Sequence, residues 1–131
     1  MERHVELLRR GRLLHLATTD PEGMPHVVPV WYMYRDARIY VGTNTSTVKA
    51  QNILRTGRAA ACLDEGVHSP LYGVMIRGRA KLITEKERVQ KLGAAILLRY
   101  FDSLEGPSAK RLLADTDCII MITPEKFTDW H

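Results

Sequence analysis

The residues whose side chains are best suited to bind a ligand form a polar turn that leads directly into a helix. Hydroxyl and amide side chains fill positions 43–47, and apolar residues follow from Ala50 at helical spacing, so a helix is predicted to begin near Ser46. A helix start carries unpaired N–H groups and the positive end of the helix dipole, so this turn and the Lys49 ammonium could bind a phosphate. The alternative, which these residues alone favour, is that Thr45 or Ser46 caps the helix and Lys49 is a solvated charge.

An apolar hairpin precedes the polar turn. Residues 26–34 show almost no polar alternation, which is typical of a strand covered on both faces, and Pro29 indicates an edge position or a bulge. A turn at 35–37 and a second apolar run from Arg38 to Val41 complete the hairpin. It could form the apolar wall needed by a ring that is attached to a bound phosphate.

Two arginines offer a second anion site. Arg77 and Arg79 share one face of a long predicted strand because strand side chains alternate. Two neighbouring guanidinium groups suit a phosphate, in the same subunit or across an interface. The alternative, which is favoured, is a solvated outer face of the sheet.

Other kinds of chemistry have no anchor in the sequence. Cys62 and Cys118 are far apart in apolar runs, and the five histidines are scattered, so no metal site or redox pair is predicted. The nucleophile elbow, the phosphate-binding loop of nucleotidases and the glycine-rich dinucleotide motif are all absent. Any catalysis must therefore come from a bound cofactor.

The composition predicts one globular domain spanning residues 1–131. The formal charge is +4 and the pI is near 9.3, which favours anionic partners, but the basic residues are spread out, which makes nucleic acid an unlikely ligand. No apolar run approaches the roughly 20 residues that span a bilayer, and no signal peptide is recognisable. We therefore expect a cytoplasmic protein without a membrane segment.

These residues are carried by a predicted α+β fold. Strands are expected at 13–19, 26–34, 38–41, 58–63, 72–83 and 117–123, and helices at 1–10, from about 46 to 56, from a capping box at 84–87 to about 100, and again up to 113. Asp20 to Gly23 forms a turn, a loop covers 64–70, and the tail ends in Phe127 and Trp130. The expected architecture is an antiparallel, six-stranded, Greek-key split β-barrel with a few flanking helices.

The order of several short segments resembles the pyridoxamine-phosphate-oxidase-like flavin-binding split barrels. The segments are Thr-Asp-Pro-Glu-Gly, Pro-His-Val-Val-Pro-Val-Trp, Arg-Ile-Tyr-Val-Gly-Thr, Thr-Val-Lys-Ala-Gln-Asn-Ile, Ile-Arg-Gly-Arg-Ala and the ending Ile-Thr-Pro-Glu-Lys-Phe. The resemblance covers nearly the whole chain, and the order of the segments is more specific than any one of them.

The resemblance implies an FMN site in a homodimer. The second strand of such proteins lies along the flavin ring and the following helix start holds the phosphate, while a second subunit covers the ring. The implied cofactor-binding residues are Val28, Pro29, Val30 and Trp31 for the ring, Thr43, Thr47 and Lys49 for the phosphate, Asn52 on the same helix face, and Arg77, Arg79 and Trp130 as candidates from the partner. Trp31 and Tyr32 must point to opposite sides of the strand, so one can border the ligand while the other packs in the core.

The chain departs from the vitamin enzyme of that family. Trp31 replaces the lysine associated with its substrate, Val48 replaces the arginine of its Ser-Arg-Lys element, and Gly73 replaces a flavin-contacting glutamine. The C-terminal section with the substrate-binding arginine is missing. True pyridoxamine-phosphate oxidase activity is therefore not expected, and a deazaflavin cofactor stays open beside FMN.

Three functions are compatible with these features. The first is a small FMN-dependent oxidoreductase that acts on a small-molecule redox substrate. The second is a deazaflavin-dependent reductase or a flavin-binding carrier or sensor. The third and least supported is a basic nucleic-acid-binding barrel.

Overall fold

The computed structural model describes residues 2–68 and 71–131. These residues form seven strands and four helices, as an α+β fold. In chain order the elements are α1 (Arg3–Arg10), β1 (Leu14–Thr19), β2 (Pro25–Val30), β3 (Met33–Arg35), β4 (Arg38–Thr43), α2 (Val48–Thr56), β5 (Arg58–Asp64), β6 (Gly73–Ile83), α3 (Lys86–Leu97), α4 (Pro107–Asp115) and β7 (Cys118–Trp130).

The strands form one curled antiparallel sheet in the order β2-β1-β5-β6-β7-β4-β3. The predicted split barrel is confirmed, and Pro29 lies on the edge strand β2, as its lack of an N–H requires. The prediction of six strands is wrong because the run 26–34 is broken at Trp31 and Tyr32. Its two halves, β2 and β3, occupy opposite edges of the sheet.

The inner face of the curled sheet holds the main core. Leu14, Leu16, Ile76, Ile120 and Ile122 point inward from three strands and are fully buried, and Leu7 and Leu8 of α1 join them. Helix α3 covers the outer side of β4 and β7 through a second cluster that includes Val89, Ile96 and Ile119. The outer sides of β1, β5 and the middle of β6 remain outside these clusters. The chain therefore presents a broad sheet face to solvent.

Several local predictions are confirmed and others are corrected. Gly23 and Gly57 have positive φ angles of 83° and 68°, so they form the predicted turn and helix stop. Strand β2 is not covered on both faces, since its residues alternate between exposed and partly buried. The capping box at 84–87 does not form, because the N-cap is Glu85 and makes no side-chain cap bond. Met1, Ser69 and Pro70 of the predicted first helix and loop lie outside the described residues.

The last strand is longer than predicted and carries the aromatic tail. β7 continues to Trp130 because its pairing with β6 runs from Ile119 to Trp130. A register shift lies opposite Arg77 and Gly78, where Lys126 pairs with Arg77 and Pro124 pairs with Gly78, so Glu125 is the extra residue of a β-bulge. Gly78 permits this close pairing, since a Cβ atom there would lie 2.2 Å from the Thr123 carbonyl oxygen.

No helix in residues 2–68 and 71–131 has the length and apolar character needed to cross a membrane.

Candidate functional site

The start of α2 brings the two predicted threonines together. Thr47 is the N-cap, and its Oγ1 accepts a hydrogen bond from the Ala50 N–H at 3.4 Å. The same hydroxyl lies 3.1 Å from Thr43 Oγ1 and 2.9 Å from the Asn44 carbonyl oxygen, to which it can donate. The expectation that Thr45 or Ser46 caps the helix is therefore wrong. Thr47 caps it because β4 runs on to Thr43, which delays the helix by one or two residues.

A carboxylate from the short link between α4 and β7 occupies part of the turn. Asp117 accepts a hydrogen bond from the Thr45 N–H at 2.8 Å, and the Asn44 side chain accepts one from the Ser46 N–H at 2.9 Å. These two N–H groups are therefore not free for a phosphate. In the described part of the chain, the N–H groups of Val48 and Lys49 have no acceptor, so the donors that remain are the first two of the helix itself.

Lys49 lies half-buried beside these two donors. Burial lowers the pKa of its ammonium from the ordinary value, and the neighbouring Cys118 thiol shifts it in the opposite direction. No carboxylate of the described residues lies within 4.0 Å of the ammonium. A half-buried cation without a counter-ion is stabilised by any anion that binds next to it.

Asn52 has a structural bonding pattern. It is 2% exposed, and its Nδ2 donates to Thr18 Oγ1 at 3.0 Å. Its Oδ1 accepts from Arg55 at 3.2 Å, and Arg55 also donates to the Thr19 carbonyl. Asn52 and Arg55 thus tie α2 to the end of β1, so both ends of the Asn52 amide already have protein partners.

His26 is a polar residue of this region that the sequence did not single out as a site residue. It lies opposite Thr18 in the β1–β2 ladder, so it faces inward toward the end of the barrel that α2 closes. Its Nδ1 atom is buried and has no hydrogen-bond partner among the described residues. A buried ring nitrogen without a partner normally binds a water or a ligand. The sequence offered one sign of this site, because side-chain alternation places Thr18 of β1 and His26 of β2 on the inner face of the sheet, at adjoining strand ends.

The four residues predicted to lie along a ring do not share one surface. Val30 is buried in the core and Val28 packs against it, whereas Pro29 points outward. Trp31 is 40% exposed and stacks on Tyr100, with ring centroids 4.3 Å apart and planes 9° apart. A ring placed along β2 could contact its backbone, Pro29 and Trp31, but the two valine side chains would lie behind it.

Tyr32 is the core member of the Trp31–Tyr32 pair, and α1 and the two residues Arg99 and Tyr100 after α3 hold it in place. Its hydroxyl donates to the Leu8 carbonyl at 2.6 Å, and burial raises its pKa to about 12. Its backbone N–H donates to the Tyr100 hydroxyl at 3.0 Å, and its carbonyl accepts from Arg99. These bonds replace strand pairing, which is why the chain can break between β2 and β3.

The remaining predicted residues lie on the outer face of β6 and β7. Arg77 and Arg79 are exposed there, and Arg79 pairs with Glu125 at 3.2 Å. Trp130 is 45% exposed and lies over Gly73, where a Cβ atom would be 2.1 Å from the indole. Lys49 lies in the first turn of α2, at the end of the barrel. A single copy of the chain therefore does not bring Lys49 together with the two arginines and Trp130.

The described residues provide neither a metal site nor an activated thiol. They contain no group of three or more His, Cys, Asp or Glu side chains that could hold a metal ion. Cys118 is buried, which raises the pKa of its thiol to about 11, and burial also raises the pKa of Cys62. Neither thiol is activated for nucleophilic chemistry.

Solved structures with the same fold extend over the whole chain. The conserved hypothetical protein Rv2991 from Mycobacterium tuberculosis is 25% identical, with a TM-score of 0.83, and the match covers 99% of this chain and 85% of that one. An F420 reductase is 25% identical with a TM-score of 0.78, and 98% of each chain is covered. A FAD-binding protein from Mesorhizobium loti is 20% identical with a TM-score of 0.74, covering 98% of this chain and 94% of that one.

A search of curated proteins finds no match. In contrast, the family model described as pyridoxamine 5'-phosphate oxidase matches residues 1–131. The segments that suggested this resemblance occupy β1, β2, β4, α2, β6 and β7 of the split barrel. The chain belongs to the pyridoxamine 5'-phosphate oxidase family.

Proposed function

We propose that this protein binds a flavin-type cofactor, FMN in the first place, and works as an oxidoreductase on a small-molecule substrate. The observation that carries the proposal is the half-buried Lys49 ammonium, which lacks a counter-ion in the described part of the chain and adjoins two unpaired N–H groups of α2. Family membership and the likeness to an F420 reductase support it.

The residues present fit the phosphate of such a cofactor. Lys49 would supply the charge, the Val48 and Lys49 N–H groups would donate hydrogen bonds, and the Thr43 and Thr47 hydroxyls lie within the same turn. The carboxylate of Asp117, which is held by Thr45, limits the negative charge that this turn can accept. The fit is therefore to one phosphate group.

The edge strand β2 is suited to orient the ring. Among the described residues it pairs with β1 alone, so the N–H and C=O groups along its other side have no partner strand there and can bond to the polar edge of a flat ligand. Pro29 interrupts this row because it has no N–H, which restricts where the ring can bond. The bound flavin would supply the electron transfer, and the protein would fix its position and exclude water.

A deazaflavin is the second candidate cofactor. Val48 stands at the helix start where the vitamin enzyme has an arginine, and its side chain is exposed. A phosphate at this turn would therefore meet one cation rather than two. Titration of the protein with FMN and with a deazaflavin, followed by fluorescence, separates the two, since the physiological cofactor should bind at least tenfold more tightly.

The reaction can be tested on a single flavin-loaded sample under anaerobic conditions. We expect slow bleaching of the flavin by a reduced nicotinamide and none by pyridoxamine phosphate, because Trp31 replaces the lysine associated with that substrate. Rapid bleaching by pyridoxamine phosphate, with turnover in air, would instead identify a vitamin oxidase. A protein that binds the flavin but is reduced by neither compound would be a carrier or sensor.

We further propose that the protein is a homodimer. Val27 of the edge strand is 60% exposed, and Phe127 and Trp130 at the end of β7 are 39% and 45% exposed. Large apolar side chains at these levels of exposure suit a contact between copies, and a two-fold contact would create two equivalent sites. Light scattering at micromolar concentration with the cofactor bound should give twice the chain mass of 14.9 kDa. A monomeric mass would refute the dimer.

A further inference from the structure

The outer face of the sheet contains a groove that the cofactor site does not use. It has a volume of about 490 Å³ and runs across β1, β5, β6 and β7. Its floor includes three small residues, namely Ala17 of β1, Ala60 of β5 and Gly78 of β6. Small side chains on neighbouring strands leave a flat floor on which a planar group can lie.

Cations oppose one another across the strands at this groove. Arg58 lies directly opposite Arg79 in the β5–β6 ladder, and Arg77 lies directly opposite Lys126 in the β6–β7 ladder. Like charges in directly opposite positions destabilise a sheet. Arg79 already pairs with Glu125, whereas Arg77 and Lys126 both line the groove. The Arg77–Lys126 pair is therefore an arrangement that folding alone does not favour, and an anion bound beside it would stabilise both cations.

The β-bulge adds to the concentration of charge. Because Glu125 is the extra residue, Glu125 and Lys126 both line the groove although they are consecutive in the chain. Glu125 neutralises only Arg79, at 3.2 Å. Bulges often redirect side chains at functional sites, and this one directs the Lys126 ammonium to the level of Arg77.

We propose that this groove binds a ligand with a diphosphate group, the chemistry shared by nicotinamide and flavin dinucleotides. Arg58, Arg77 and Lys126 all line the groove, and three cations match the charge of two linked phosphates better than that of one. The Ala17 and Ala60 floor beside them would receive a ring of the same ligand. That the ligand is a dinucleotide redox partner rests on the proposed function, whereas binding of the diphosphate does not.

The site is distinct from the cofactor phosphate site at α2. The groove lies on the outer side of the sheet, whereas Lys49 lies next to Cys118 at the inner end of the barrel.

Calorimetric titration of the full chain at low salt tests the proposal with inorganic pyrophosphate and orthophosphate as probes. Pyrophosphate should bind saturably and at least tenfold more tightly than orthophosphate. Arg58→Ala and Arg77→Ala should each weaken it at least fivefold, whereas Arg88→Ala, an equal charge change on the exposed side of α3, should leave it unchanged. Equal losses in all three variants, or no saturable binding, would overturn the proposal.

Competition identifies the source of the diphosphate. A reduced nicotinamide dinucleotide or FAD should displace pyrophosphate from the wild-type protein, and the one that binds more tightly is the ligand. Failure of both to compete would refute the assignment to dinucleotides, as would tighter binding of an oligonucleotide that the same variants abolish.

A parallel FMN titration separates this proposal from the proposed function. Arg77→Ala should keep its FMN affinity if the groove is a separate site. If it weakens FMN binding and leaves pyrophosphate binding unchanged, Arg77 belongs to the cofactor site and the groove proposal fails.

Discussion

Replacing Lys49 with methionine isolates the charge on which the cofactor site depends. Methionine retains an unbranched apolar stem, so the packing at the barrel end is kept while the ammonium is removed. The alternative target, Thr47, is less informative because its side chain also caps α2, and the loss of a cap costs about 1 kcal/mol of stability by itself.

The expected size of the effect follows from the burial of Lys49. An ion pair at about 4 Å contributes about 4 kcal/mol at an effective dielectric constant of about 20. Solvent screening reduces this energy, because Lys49 is only half-buried. Hydrogen bonds to charged groups contribute about 1.5 to 3 kcal/mol net, so FMN should bind about 10- to 150-fold more weakly to Lys49→Met.

Quenching of flavin fluorescence during titration of the cofactor-free protein measures this affinity. Lys91→Met is the matched control, because Lys91 is exposed on α3, pairs with Glu87 at 3.7 Å, and gives the same change in net charge. Its FMN affinity should equal that of the wild type. If both variants bind FMN as the wild type does, Lys49 is a surface charge and the phosphate site lies elsewhere.

Two further predictions concern the fold. Burial raises the pKa of Tyr32 to about 12, so the neutral phenol stabilises the protein fully below pH 10 and this contribution is lost as the pH rises toward 12. Tyr32→Phe loses the hydrogen bond to Leu8 and should be less stable than the wild type at pH 7 by on the order of 2 kcal/mol. Because phenylalanine does not ionise, the melting temperature of this variant should fall less between pH 10 and 12 than that of the wild type. An equal fall in both proteins would contradict this. Gly78→Ala places a Cβ atom 2.2 Å from the Thr123 carbonyl oxygen and should lower the free energy of unfolding, measured with a chemical denaturant, by about 1 to 3 kcal/mol. In the control Gly106→Ala, the new Cβ would meet no described atom within 4 Å, and the loss should be about a few tenths of a kcal/mol. Similar losses in both variants would refute the close approach at Gly78.

The features that sequence could predict are those set by nearby residues. The turn at 20–23 and the end of α2 at Gly57 follow from the backbone angles that glycine permits. The long strand β6 and its outward Arg77 and Arg79 follow from side-chain alternation. The order of segments that indicated the family also predicted the curled antiparallel sheet.

The features that sequence missed depend on distant partners. The break at Trp31 and Tyr32 is stabilised by Tyr100, which is 68 residues away from Tyr32, so no local pattern marks it. Asp117 is 72 residues away from the Thr45 N–H that it accepts from, and it changes how much negative charge the turn can hold. The bulge at Glu125 arises from pairing between β6 and β7 and has only Pro124 as a local sign.

The identity of the bound cofactor is the central question. Protein purified in the dark should show the absorbance of a flavin or deazaflavin, and denaturation should release it in a ratio approaching one per chain, with a mass equal to that of FMN. A colourless protein that also fails to bind FMN or a deazaflavin in the micromolar range, while remaining folded, would contradict the proposed cofactor site at Lys49.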